Sequence, residues 1–208
     1  MYFVRIPSII KKIFPSVVFD IPNNENKIYL TFDDGPHPEI TIWILEQLKK
    51  HQAKATFFCL GVNIEKHPEV ILKIKEENHA IGHHSYSHFN AWKIDKYDFI
   101  KDVEKGYQTL EKNGIKSILF RPPHGKLKNL HLQKFKSKYK IINWSLMPGD
   151  FDLSISKTTC LNRLKKIKSG DIVVLHDNEK SWKHLHYCLP LFLEFCDENN
   201  FQCVVLEH

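Results

Sequence analysis

Seven short runs of β-branched and aromatic residues alternate with segments of helical period along almost the whole chain. This alternation narrows the available folds more than any other feature of the sequence. The strand-like runs fall at residues 28–32, 55–59, 79–82, 117–120, 140–144, 171–176 and 202–206, each bounded by turn formers. Helical periodicity occupies 39–50, 65–77, 95–112, 127–137, 157–167 and 183–198. Strands separated by helices must run parallel through right-handed crossovers, which leaves an open doubly wound sheet or a closed barrel. Polar residues able to do chemistry stand at the carboxyl ends of at least five of these strands. A ring of strand ends brings all of them to one pocket, whereas an open sheet gathers mainly those beside its switch point. The expected fold is therefore an α/β barrel.

Length and composition fit one domain: 208 residues, of which 42% are hydrophobic, can bury a substantial core. The formal charge of +6 is spread along the chain rather than gathered into a block, so no nucleic-acid partner is expected. Five cysteines with no C-x-x-C pair indicate neither a disulfide framework nor a cysteine metal site, and buried thiols are expected. The apolar start of the chain is interrupted by Arg5, Pro7, Lys11, Lys12 and Pro15, which makes it a poor secretion signal. No segment reaches the roughly 18 apolar residues of a membrane span. The sequence by itself therefore points to a cytoplasmic protein without a transmembrane segment, expected to be a monomer. Residues 1–26 are expected to pack on the barrel, although a basic apolar segment can also lie on a membrane surface.

Chemistry concentrates at the strand ends. Thr31-Phe32-Asp33-Asp34-Gly35-Pro36 runs a strand into two adjacent carboxylates and a turn. At such a transition one acid can hold a cation while its neighbour stays free for proton transfer; a simple helix-capping turn is the competing reading. Gly82-His83-His84-Ser85-Tyr86-Ser87-His88 follows another strand. On a helical turn, His84 and His88 would share a face, and two imidazoles with one carboxylate make the three-ligand set of an open catalytic zinc site. Arg121, at the end of the next strand, could orient a carboxylate through a bidentate hydrogen bond, or could be a surface ion pair. Asp150 and Phe151 follow the strand at 140–144, and His176 terminates a wholly apolar run, which usually delivers a side chain to a pocket mouth.

These five ordered motifs, from TFDDGP through H-S-x-x-H to the terminal Leu-His, resemble the polysaccharide deacetylase family, the carbohydrate esterases with the NodB homology domain. The resemblance covers residues 27–206 and includes Ala55-Thr56-Phe57-Phe58-Cys59-Leu60-Gly61 and His67-Pro68-Glu69. It implies a distorted seven-stranded (β/α) barrel over 27–208. It further implies one divalent metal, most often zinc with cobalt or another divalent ion as alternatives, and an acetylated carbohydrate substrate. The implied reaction is removal of acetyl groups from N-acetylglucosamine glycans of peptidoglycan or chitin-like type, with O-acetyl esterase activity on a polysaccharide such as xylan as the alternative. By motif, Asp34, His84 and His88 become metal ligands and Asp33 the base. His176 becomes the acid, Arg121 orients Asp33, and Asp150 orients His176. The backbone N–H of His124 becomes an oxyanion donor, with Phe151 beside the substrate. Three positions depart from the usual pattern: His124 replaces an aromatic, Met147 an acidic or polar residue, and Phe151 a tryptophan. Family members generally act on envelope or extracellular glycans, which is at odds with the absence of a clear secretion signal. A non-haem iron oxygenase also uses two histidines and a carboxylate, but gives Asp33 and His176 no task. A carbohydrate-binding relative without catalysis would have no need for the full set.

Overall fold

Strand β2 (Lys27–Asp33) is central to the fold, and its pleat explains how the protein is layered. Ile28, Leu30 and Phe32 point outward into the large apolar cluster shared with the helices. Tyr29, Thr31 and Asp33 alternate to the other face, as the period of two in a strand requires. Tyr29 there joins Phe58, Leu119, Ile142 and Ile172 in a separate interior cluster. The computed structural model describes residues 2–207. The remaining strands are β1 (Val17–Val18), β3 (Ala55–Cys59), β4 (Ala80–His83), β5 (Leu119–Phe120), β6 (Lys140–Ile142), β7 (Ile172–His176) and β8 (Gln202–Cys203). They pair in the order β1-β6-β5-β4-β3-β2-β7, with β8 beside β2, and every pairing is parallel.

The sheet curls into a distorted barrel in a single α/β domain, as expected. Its closure explains the distortion. After β6 the chain leaves its ladder, and the ring is joined to β7 by one parallel bridge, Leu146 to Val173. Around that bridge the Ser145 N–H donates to Ile172 O at 3.0 Å and the Val174 N–H to Leu146 O at 3.0 Å.

Among the described residues eight α-helices cover the strands: α1 (Ser8–Ile13), α2 (Ile40–Lys50), α3 (Gly61–Lys66), α4 (Pro68–Glu76), α5 (Lys96–Lys112), α6 (Asn129–Phe135), α7 (Lys157–Leu164) and α8 (Glu179–Glu198). The helix expected over 65–77 is two helices, because the residue before Pro68 is pushed out of helical conformation. The last helix begins at Glu179 rather than 183, capped by the Asn178 side chain. Strand β1 and helix α1 were not expected. Both are too short to show a period, and they form because the chain start is tied across the barrel floor. Arg5 bridges to Leu146, and its guanidinium holds Asp171 at 2.7 and 2.8 Å. Lys11 pairs with Asp20. All five cysteines are buried and free. No helix among the described residues is long and apolar enough to cross a membrane.

Candidate metal centre and active site

The parallel register sets Asp33 of β2 directly beside His176 of β7, and His83 at the end of β4 beside Phe120 of β5. Four strand ends thus deliver Asp33 and Asp34, His84, Arg121 and His176 to one mouth of the barrel. Asp34, His84 and His88 converge there with one potential ligand atom each, all within 4.8 Å of one another. Asp34 Oδ1 lies 3.7 Å from His84 Nε2 and 3.3 Å from His88 Nε2.

The His88 separation equals the edge of a tetrahedron around an ion about 2.0–2.1 Å from each ligand, roughly 3.3 Å, and the His84 separation is somewhat longer. Two further observations fit a cation. Asp34 Oδ1 is buried and has no hydrogen-bond partner among the described residues, which is costly for a carboxylate oxygen unless something positive sits there. His84 Nδ1 faces the Arg121 carbonyl at 2.7 Å, an acceptor, so this nitrogen carries the proton and Nε2 keeps a free lone pair toward the cluster. Burial, with His88 second, holds the His84 pKa well below the usual imidazole value and keeps it neutral, the form a ligand needs.

One expectation is corrected. His84 and His88 do not share a helical turn: Ser85 and His88 have φ of 68° and 62°, and the segment is a loop. Asp102 of α5 accepts from the Tyr86 and Ser87 N–H groups, while the Ser85 and Tyr86 carbonyls accept from Gly61 and Val62. Those anchors replace intrahelical bonds and fold the loop so that His88 returns to the cluster.

The two adjacent acids face different surroundings. Asp33 is fully buried beside the guanidinium of Arg121, whose Nη1 donates to Asp33 Oδ1 and to Thr31 Oγ1, both at 2.6 Å. Arg121 Nη2 donates to Asn143 O at 2.9 Å, and the guanidinium stacks 4.2 Å over Phe58. Burial raises the Asp33 pKa above the usual carboxylate range despite Arg121. Its other oxygen, Oδ2, points to the cluster, 3.9 Å from His84 Nε2. For Asp34 burial acts the same way but is outweighed, chiefly by the charge of His176 with help from the Asn178 hydrogen bond, and its pKa falls.

At the end of the neighbouring strand, β7, Asp150 grips His176 twice, through the backbone N–H at 2.7 Å and Nδ1 at 3.0 Å. Burial opposes charge on this imidazole, but Asp150, Asp34 and Asp33 outweigh it and raise the pKa to about 9. Phe151 packs edge-on to His176 at 5.2 Å. The His124 ring packs on His88 at 4.5 Å, and its backbone sits at φ 58° in the left-handed region. All nine residues singled out from the sequence therefore border one centre.

Residues 20–139 match the family model described as polysaccharide deacetylase. The chain belongs to that family. It is 34% identical over 170 residues to a peptidoglycan-N-acetylglucosamine deacetylase of Bacillus cereus, a match covering 79% of this chain and 80% of that relative. It is 30% identical to a chitooligosaccharide deacetylase of Azorhizobium caulinodans, with 76% of each chain covered. Among solved structures, a peptidoglycan N-acetylglucosamine deacetylase bound to 4-naphthalen-1-yl-N-oxidanyl-benzamide superposes with a TM-score of 0.85 at 31% identity, over 92% of this chain and 91% of that one.

Within this member of the polysaccharide deacetylase family the sequence motifs left out the residues that hold the loop at 33–36. Asp34 has φ 85°, a strained value for a non-glycine residue that surrounding contacts must enforce. Asn178 Nδ2 donates to Asp34 Oδ2 at 2.7 Å, while Asn178 Oδ1 caps α8 by accepting from the Ser181 N–H. Asn63 Nδ2 donates to Asp34 O at 2.7 Å. Asp177, its pKa raised by burial to about 7, accepts from the Gly35 N–H at 2.8 Å and from Thr41 Oγ1 at 2.6 Å. A Cβ on Gly35 would lie 1.9 Å from that carboxylate, which explains the glycine. The only signal for these residues was Asp177-Asn178 directly after His176, where an N-cap asparagine reads as helix punctuation.

Proposed function

We propose that this chain is a metal-dependent deacetylase that hydrolyses the acetamide of N-acetylglucosamine units in a glycan of peptidoglycan or chitin-like type. Residues 27–208 form the catalytic unit and residues 1–26 pack on it. The observation that carries the reading is the buried Asp34 Oδ1, without a hydrogen-bond partner among the described residues and facing two imidazoles, with Asp33 and His176 side by side on the adjoining strand ends.

Asp34, His84 and His88 would hold one divalent ion, zinc being the best match to two imidazoles and a carboxylate. When bound, the ion would polarise the acetyl carbonyl and lower the pKa of a water. Asp33 then accepts the water's proton at Oδ2, since Oδ1 is committed to Arg121. Burial raises its pKa, which increases its affinity for that proton. The His124 N–H, which no described residue accepts, supports an oxyanion-donor role when negative charge develops on the carbonyl oxygen. His176, kept charged by Asp150, donates to the departing nitrogen. That charge is what favours an amide over an ester substrate: an amine leaves only when protonated, whereas an alcohol needs less help.

Acetate release would be measured on N-acetylglucosamine oligomers, peptidoglycan fragments and acetylated xylan, alongside metal content. Turnover of the N-acetylated glycans with about one divalent ion per chain is expected. Acetate released only from xylan would replace the reading by O-deacetylation, and no turnover by fully loaded protein would refute catalysis.

A further inference from the structure

The rim of the centre on the His88 side carries groups that the reaction does not use. Trp92 stands four residues beyond His88 and is 60% exposed. Its Nε1–H donates to Leu127 O at 3.2 Å, and its backbone N–H to Asn90 Oδ1 at 3.0 Å, so the indole is held in place while most of its apolar surface faces water. Four residues span at most about 14 Å of chain, which keeps Trp92 within reach of a short oligosaccharide seated at the metal centre. The loop that accepts its N–H is the one bearing His124, whose ring packs on His88. Lys126 of that loop places Nζ 4.7 Å from the Trp92 ring centroid. Among the described residues no carboxylate pairs with Lys126, nor with neighbouring Lys93. Both ammonium groups act on the His124 imidazole, after burial and His88, which sets them within electrostatic reach of the centre.

A fixed, exposed aromatic surface is suited to the C–H face of a sugar ring, and an unpaired cation beside it is suited to an anionic substituent on that ring. We propose that Trp92 and Lys126 form a subsite for a carboxylate-bearing sugar unit of the bound glycan, beside the unit that is deacetylated. The inference rests on the proposed glycan substrate and narrows it. A neutral chitin-like chain would cover Trp92 and leave Lys126 unpaired. A peptidoglycan strand, whose alternate units carry a lactyl ether, would satisfy both.

The test uses a tetrasaccharide of alternating N-acetylglucosamine and N-acetylmuramic acid, and N-acetylglucosamine tetramer as its neutral match. Affinities are measured by calorimetry on metal-loaded Asp33→Asn protein, which spares the ligands during the titration. In that background Trp92→Ala should weaken both oligosaccharides about fivefold to tenfold. Lys126→Gln should weaken only the carboxylated one, about twofold to fivefold, and the difference should shrink with added salt. In both variants metal content should be unchanged, showing that the centre is intact, and Trp92→Phe should retain most of the affinity. Unchanged affinities in Trp92→Ala, or equal losses on the two oligosaccharides in Lys126→Gln, would overturn the subsite, as would failure of both oligosaccharides to bind. Binding that depends on Trp92 and Lys126 in a protein that releases no acetate would instead preserve the subsite and refute the deacetylase reading.

Discussion

The barrel holds an arginine–aspartate pair near each end, and the two pairs are built differently. At the floor, Arg5 grips both oxygens of Asp171, which also accepts from Ser145 Oγ at 2.7 Å and the Lys168 N–H at 2.7 Å. Those bonds overcome the burial penalty, and the Asp171 pKa lies below its ordinary value. At the mouth, Arg121 takes one oxygen of Asp33 and leaves the other facing the ligand cluster, and the Asp33 pKa lies above its ordinary value. A saturated carboxylate is inert and stabilises the fold; a half-satisfied one keeps affinity for a proton. The difference places stability at the amino ends of the strands and reactivity at the carboxyl ends, which is the usual division in barrels of this kind.

Substitutions at the mouth should have the largest effects. Asp34→Asn should lose the metal, and nearly all activity with it, because it removes one of only three protein ligands. Asp33→Asn should keep the metal while kcat on an acetamide falls by roughly 10² to 10⁴. Elemental analysis beside steady-state rates separates the two, and equal metal loss in both variants would refute the contrast between neighbouring acids.

His176→Ala should slow acetamide hydrolysis by a general-acid factor of roughly 10² to 10⁴ yet leave most of the turnover of an activated aryl acetate, whose leaving group needs no proton. The comparison is made as kcat/KM for both substrates at equal metal content. Equal losses would assign His176 a positioning role instead.

A smaller effect is expected one contact further out. Asn178→Ser retains a side-chain oxygen to cap α8, since serine caps about as well as asparagine. It removes the amide that pins Asp34 Oδ2 and so leaves Oδ1 to face the cluster. Metal affinity should weaken roughly tenfold to a hundredfold, the usual range for partners that orient a ligand, with little change in Tm. Unchanged affinity would mean that the strained backbone at Asp34 positions the ligand without help.

How far the sequence revealed this arrangement follows from how local each signal is. Asp33, Asp34, Arg121, Asp150 and His176 could be found because each ends or follows an apolar run, and strand ends in a parallel barrel share one mouth. The spacing of His84 and His88 picked out the right residues for an incomplete reason: four residues also return to one point in a loop pinned by Asp102 and α3, contacts that come from distant sequence. Asn178 and Asp177 were hidden because their partners, Asp34 and Gly35, lie more than 140 positions away. Arg5, too, shows no pattern of its own, and only the folded floor brings it to Asp171.

That floor pair yields the smallest effect and a test of the contrast in pH. Asp171→Asn removes the charge that Arg5 holds, but Arg5 is partly exposed and can turn to water, so the expected loss is about 1–2 kcal/mol at neutral pH. Because the Asp171 pKa is depressed in the folded protein, its stabilising contribution is complete above the unfolded carboxylate value of about 3.9 and disappears as pH falls through the lower folded value. The stability gap between wild type and Asp171→Asn should therefore be constant from neutrality to about pH 5 and shrink below about pH 4. Denaturant unfolding of both proteins with metal removed by chelation isolates this term, since the titrations they share cancel in the difference. A gap that widened on acidification would mean that Asp171 binds its proton more readily when folded, as Asp33 does, and the distinction between the two ends of the barrel would fail.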